Sequence, residues 1–111
     1  MPLVPAGRPV CTVVVTVDTT ADVIGDLVEH ARSGLDRFTD YDGFIGGALH
    51  ISDDETRLVQ YLQWASEKAY VECRDDPKWN EIATTARFAD HVVAGRARVD
   101  ARTYSVVAHS D

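Results

Sequence analysis

Between Gly43 and Tyr70 the chain reads GFIGGALHISDDETRLVQYLQWASEKAY, and within it His50, Gln60, Trp64 and Tyr70 stand where two adjacent strands and a helix start can turn them toward one place. Alternate residues of an extended chain share a face. Phe44, Gly46, Ala48 and His50 therefore form one set, and Leu58, Gln60, Leu62 and Trp64 another. An imidazole, an amide and an indole N–H among apolar side chains offer directed hydrogen bonds and a movable proton. An amide on a face shared with Leu58 and Leu62 must find a partner or line a cavity.

The two sets coincide if the turn around Asp53, Asp54 and Glu55 holds an odd number of residues. His50 then lies opposite Leu58, Ala48 opposite Gln60, and Phe44 opposite Trp64. The Asp-Asp-Glu-Thr loop lacks the Asn-Gly or Asp-Gly of the tightest turns, so a three- or five-residue connection is expected.

The elements that must position these residues are legible from their periodicities. Pro2, Pro5 and Pro9 around Gly7 mark residues 1–9 as a flexible, extended tail, and residues 10–111 form one domain. Val10 to Val17 is rich in β-branched residues on both faces and reads as a covered strand, followed by turn and cap chemistry at Asp18-Thr19-Thr20. From Ala21, the residues Val23, Ile24, Leu27, Val28, Ala31, Leu35 and Phe38 recur at helical spacing, with charged residues on the other side. Asp40-Tyr41-Asp42-Gly43 breaks this helix, and the two alternating strands follow. Ser66 caps a short helix through about Arg74, Asp76-Pro77 restarts helix, and Ala97 to Ala108 alternates as a last strand. The order is β-α-β-β-α-β, the pattern of an α+β, ferredoxin-like sandwich.

Composition excludes several classes of partner. Eleven basic against eighteen acidic residues give a net charge of -7, a poor match to a phosphate backbone, so nucleic acid is not expected. No apolar run approaches the ~20 residues of a membrane span, and MPLVPAGRPV lacks the regions of a signal peptide, so the expectation is a cytoplasmic protein without a membrane partner. Cys11 and Cys73 have no CxxC spacing and read as small core residues. His30, His50, His91 and His109 are scattered with no ligand spacing, so no metal site is expected.

One side of a four-stranded sheet with helices on the other should be wet. Here the first strand is apolar on both faces, and Ile45, Leu49 and Ile51 oppose the His50 set. A second copy packing sheet against sheet in a two-fold homodimer is the economical cover. The alternative is a modest apolar surface patch.

GFIGGALH, a charged turn, LVQYLQW and then SEKAY together resemble the antibiotic biosynthesis monooxygenase domain, and the likeness runs from Val10 to Val107. That family forms dimeric α/β barrels and includes small cofactor-independent oxygenases of aromatic polyketide pathways. The resemblance implies two copies forming such a barrel, and a site lined by a histidine, an amide, a tryptophan, a tyrosine and an arginine. By motif position the first four fall on His50, Gln60, Trp64 and Tyr70, and the arginine on Arg87, with Arg74 in reserve. Gln60 stands where the relatives have asparagine, which puts the same amide on a longer arm. Phe44, Gly46, Ala48 and Leu62 would line the substrate side.

The implied chemistry is oxidation of a phenolic, anthrone-like ring to a quinone by O2 without a cofactor, because a deprotonated substrate of this kind can itself supply the electrons. Trp64 N–H and Gln60 would donate to a substrate or peroxide oxygen, Arg87 would hold a phenolate, and His50 or Tyr70 would move protons. Each also has a structural reading: a half-buried histidine, a core aromatic, a helix contact, a solvated helix-end charge. Two rivals stand beside this reading. A haem-degrading enzyme of the superfamily would want an axial histidine on the helix after Trp64, and Glu67 to Trp79 contains none. A catalytically silent dimeric binding or sensing domain would use the same fold. A cavity of a few hundred Å3 on the face of His50, Gln60 and Trp64 would favour the enzyme, and a filled core there would sink that reading.

Overall fold

The computed structural model describes residues 10–81, 83–108 and 110. The expected tail over residues 1–9 lies outside them. Strands β1 (Cys11–Asp18), β2 (Phe44–Ile51), β3 (Arg57–Trp64) and β4 (Arg98–Ser105) alternate with helices α1 (Ile24–Phe38), α2 (Glu67–Arg74) and α3 (Ala83–Val93), and a 3-10 turn over Pro77–Glu81 separates α2 from α3. The sheet is antiparallel in the order β2-β3-β1-β4. This is the ferredoxin-like β-α-β-β-α-β arrangement, with its second helical crossover broken into three pieces.

Local chemistry sets the helix boundaries. Ser66 is extended and its hydroxyl accepts from the Ala69 N–H, which caps α2. Asp76 Oδ1 accepts from the Lys78 N–H at 2.9 Å, so the Asp-Pro pair starts the 3-10 turn. The Asp18-Thr19-Thr20 segment behaves differently from expectation, since α1 begins at Ile24 with Val23 as its cap and no side-chain cap bond. The Thr20 carbonyl instead accepts from Val23 N and Ile24 N at 3.0 Å each.

Two apolar clusters lie between sheet and helices. Cys11, Val13, Leu62, Trp64 and Cys73 form one, and Val17, Val23, Leu27, Leu58 and Ala97 the other. Both cysteines are free and buried in this layer. Gly47 permits the close seat of α1, because a Cβ there would stand 2.7 Å from Leu62 Cδ2, 2.8 Å from the Tyr61 carbonyl and 3.1 Å from Leu35 Cδ1. Gly43, at φ +87, turns the chain into β2, and a Cβ there would meet the Ala69 Cβ at 2.7 Å.

The β2–β3 register corrects the sequence reading. Pairing runs Ile51 with Leu58, His50 with Val59, Leu49 with Gln60 and Ala48 with Tyr61, so the connection is even rather than odd. The cause is the turn. Ser52 N–H donates to the Arg57 carbonyl at 2.8 Å, Glu55 N–H to the Ser52 carbonyl at 2.9 Å, and Glu55 takes a left-handed φ of 59. Asp54 Oδ1 braces the loop by accepting from Thr56 N at 3.1 Å and Thr56 Oγ1 at 2.7 Å. A bulge between Phe44 and Gly46 then restores the original parity, and Phe44 does lie opposite Trp64.

Because one residue of slip reverses a strand's faces, Gly47, Leu49 and Ile51 share the helix side with Leu58, Gln60 and Leu62. His50 and Ala48 face outward with Val59, Tyr61 and Gln63. The expected apolar cover problem is smaller as a result, since Leu49 packs inward against the second cluster. Edge strand β4 is exposed along its whole length.

Candidate active site

A cleft of about 220 Å3 lies between the sheet and the helices. Gln60 and Leu62 of β3 form its floor with Val15 and Val17 of β1, and His30, Gly34 and Phe38 of α1 form one wall. Tyr70, Cys73 and Arg74 of α2, Trp79 of the 3-10 turn and Phe88 of α3 complete it. The lining is aromatic and aliphatic with a few polar groups, the composition that small-molecule sites share. Among the described residues, no three His, Cys, Asp or Glu side chains are grouped to hold a metal ion.

Three of the residues singled out in the sequence, Gln60, Tyr70 and Leu62, meet in this cleft together with Arg74. Gln60 is half-buried on β3, and among the described residues its amide makes no hydrogen bond. Tyr70 has its phenol pushed up by burial. Arg74 lies at the rim with its Nε donating to Asp75 Oδ1 at 2.9 Å and its guanidinium 5.7 Å from the Tyr70 ring centroid.

The other expected residues stand elsewhere. His50 is exposed on the outward face, and Ala48 shares that face, for the register reason given above. Gly46 pairs with Gln63 rather than with a residue of the Gln60 set. Trp64 is fully buried in the layer behind Tyr70, whose ring centroid lies 6.2 Å away, and packs edge-on against Phe44 at 5.0 Å. Its indole N–H has no partner among the described residues. Arg87 is half-exposed outside the cleft, 3.4 Å from Glu29 and 3.8 Å from Asp26, a surface pairing of small energetic weight.

The cleft also contains residues that strand alternation did not reveal. His30 projects from α1, its Nδ1 lies 2.9 Å from the buried Thr84 Oγ1, and its ring stacks on Phe88 at 4.8 Å. Burial holds its pKa below the usual histidine value, so it is neutral near pH 7. Trp79 is fixed by its Nε1 donating to the Cys73 carbonyl at 2.7 Å and by stacking on Tyr41 at 6.2 Å. Tyr41 in turn donates to Asp76 at 2.7 Å, and that bond pushes its phenol up to about 12. Burial likewise pushes the Cys73 thiol up to about 11. The sequence did carry a signal for this wall: His30, Gly34 and Phe38 fall at i, i+4 and i+8, one row of a helix.

No family model matches the sequence, and no curated protein matches it. Solved structures do. A candidate antibiotic biosynthesis monooxygenase from Nitrosomonas europaea superposes with a TM-score of 0.67 at 19% identity, over 95% of this chain and 96% of that one. SnoaB from Streptomyces nogalater, described as a cofactor-independent oxygenase, superposes at 0.63 with 13% identity, over 92% and 97%. The fold is that of the antibiotic biosynthesis monooxygenases. A dimeric ferredoxin-like protein from an uncultured marine organism also superposes, at a TM-score of 0.67 and 10% identity, over 93% and 100% of the two chains. At these identities the likeness covers the architecture, and the side chains of the cleft are this chain's own.

Proposed function

We propose that this chain is a cofactor-independent monooxygenase that oxidises a phenolic, anthrone-type aromatic to the quinone with O2. The observation that carries the reading is Gln60: an amide without a hydrogen-bond partner among the described residues, lining an aromatic-walled cleft, in a fold shared with a described cofactor-independent oxygenase. An empty cavity of about 150 Å3 accommodates benzene, so about 220 Å3 takes a somewhat larger ring system with its edge at the mouth.

The reaction needs little from the protein beyond binding, deprotonation and shielding. Loss of a proton from the ring CH2 leaves its electron pair in an extended enolate, which passes one electron to O2 and then recombines to a peroxide. Loss of a second C–H proton with O–O cleavage gives the carbonyl and water, so CH2 and O2 become C=O and H2O. Gln60 donates to the developing enolate oxygen, Arg74 at the rim holds a phenolate, Tyr70 contributes a neutral phenol, and the apolar walls keep bulk water from the peroxide. Trp64 backs Tyr70 and fixes its position. In this reading the chain works as a homodimer, supported by the full exposure of β4, where Val99 and Tyr104 are 38% and 48% accessible, and by the dimeric neighbour.

The test is anthrone turnover by wild type and Gln60→Leu, with anthraquinone binding followed by tryptophan fluorescence. Turnover in wild type, lost at least about tenfold in the variant, supports the reading; a single hydrogen bond to a charged group is worth about 1.5–3 kcal/mol. Quinone binding without turnover would make the chain a binding or sensing domain.

A further inference from the structure

We propose that His30 is the base that takes the substrate proton, with Thr84 as its positioning partner, an inference that rests on the cleft binding an enolisable aromatic ketone. Three features of the structure carry it. His30 lines the same cleft as Gln60, so base and oxyanion donor bracket one volume from opposite walls, α1 above and β3 below. The imidazole is held rather than loose: Nδ1 meets Thr84 Oγ1 at 2.9 Å and the ring stacks on Phe88, while Nε2 has no partner among the described residues. Thr84 is itself buried, 7% accessible, which fixes the pair inside the structure.

A threonine hydroxyl suits this work because it both donates and accepts. It can donate to a bare Nδ1 or, after rotation, accept from Nδ1–H. When Nε2 takes the ring C–H proton, Nδ1–H donates to Thr84 Oγ1 and the electron pair of the broken C–H bond stays on the substrate as enolate. The imidazolium then returns its proton to the peroxide formed from O2, and Nε2 is bare again for the second C–H proton as water leaves.

The neighbours leave His30 alone in its pH range. From α2, Tyr70 and Cys73 are neutral there and Arg74 is a permanent cation paired with Asp75. From β1 and β3 the lining is Val15, Val17, Leu58, Gln60 and Leu62, none ionisable, and from the 3-10 turn it is Trp79. On α3 and on α1 itself, Arg87, Glu29, Asp26 and His91 pair with one another outside the cleft, Arg87 with Glu29 and Asp26 and His91 Nε2 2.9 Å from Asp26 Oδ2.

The experiment separates proton abstraction from oxidation. Under argon in D2O, exchange of the anthrone CH2 hydrogens is followed by NMR, and in air the same proteins are assayed for quinone formation. Wild type should accelerate exchange, and His30→Gln should lose both exchange and kcat/KM by at least about 100-fold, with anthraquinone binding within threefold and no acid limb below pH 6.5. Thr84→Val should retain part of the rate with the acid limb moved to lower pH, since Nδ1–H then has no acceptor. If His30→Gln does not fold, His30→Ala with added imidazole replaces it, and restored exchange supports the assignment. Exchange absent from wild type, unchanged in a folded His30→Gln, or not restored by imidazole overturns it. Exchange that depends on His30 without quinone formation would sustain the base and retire the oxygenase.

Discussion

Two glycines on opposite sides of the helix–sheet layer respond in opposite directions to the same substitution. A Cβ on Gly34 would meet Trp79 Cζ3 at 3.7 Å and Phe38 Cζ at 3.9 Å, ordinary contact distances, in the interior of α1. Replacing glycine by alanine in a helix gains about 0.8–1 kcal/mol of propensity, and burying one methyl against two rings adds about 0.5–0.8 kcal/mol. Gly34→Ala should therefore stabilise the fold by about 1.3–1.8 kcal/mol, a rise in Tm of roughly 6–8 °C for a domain of this size. Gly47→Ala does the reverse. Its methyl would enter at 2.7 Å from Leu62 Cδ2 and 2.8 Å from the Tyr61 carbonyl, and the carbonyl is fixed in the ladder. Overpacking of this kind costs about 1–3 kcal/mol. Thermal and urea denaturation followed by circular dichroism measures both. A fall in stability for Gly34→Ala, or no loss for Gly47→Ala, would refute the packing of α1 against Trp79 and β2 described above. The Gly34 methyl also narrows the cleft, so anthraquinone should bind more weakly to the more stable protein.

His50→Gln should leave turnover within twofold, since the ring lies on the outward face; a tenfold loss would restore the odd register. Tyr41→Phe removes the bond to Asp76 and should cost about 1 kcal/mol at pH 7, read by urea denaturation. The bond to Asp76 raises the wild-type phenol from its ordinary value of 10.0 to about 12, so this contribution is complete below pH 10 and is lost as pH rises toward 12. The variant should lack that alkaline slope. His30 gives the opposite sense: its pKa is depressed in the folded state, so stability falls as pH drops below 6.5, and His30→Gln should flatten that part of the curve.

What the sequence disclosed follows from which interactions are local. The β-branched run of β1, the amphipathic period of α1, the Ser66 cap and the Asp76-Pro77 restart each depend on neighbours a few residues away, and each yields its element. The face of His50 depends on the left-handed Glu55 that makes the turn even, which no glycine announces, while the bulge that returns Phe44 to the side of Trp64 lies beside Gly46-Gly47, a pair that does mark one. Periodicity is blind to a change of one residue in the turn, so Gly46 to Ile51 were expected on the wrong sides of β2 while Gln60 and Leu62 were expected on the right one. His30 was hidden for another reason. On α1 it sits beside Glu29 and near charged residues, and only the seat of α3, which brings Thr84 and Phe88 against it, converts a surface-looking position into a cleft wall. Trp79 lies in the irregular crossover, where no period applies.

The most direct measurement runs an oxygen electrode and a quinone absorbance trace together on anthrone, with chelator present and the protein free of flavin and haem, for wild type and a cleft-filling Gly34→Leu variant. Wild type should consume one O2 per quinone formed at a rate well above buffer, and a folded Gly34→Leu should lose that rate. Wild type no faster than buffer, or Gly34→Leu as fast as wild type, would contradict it.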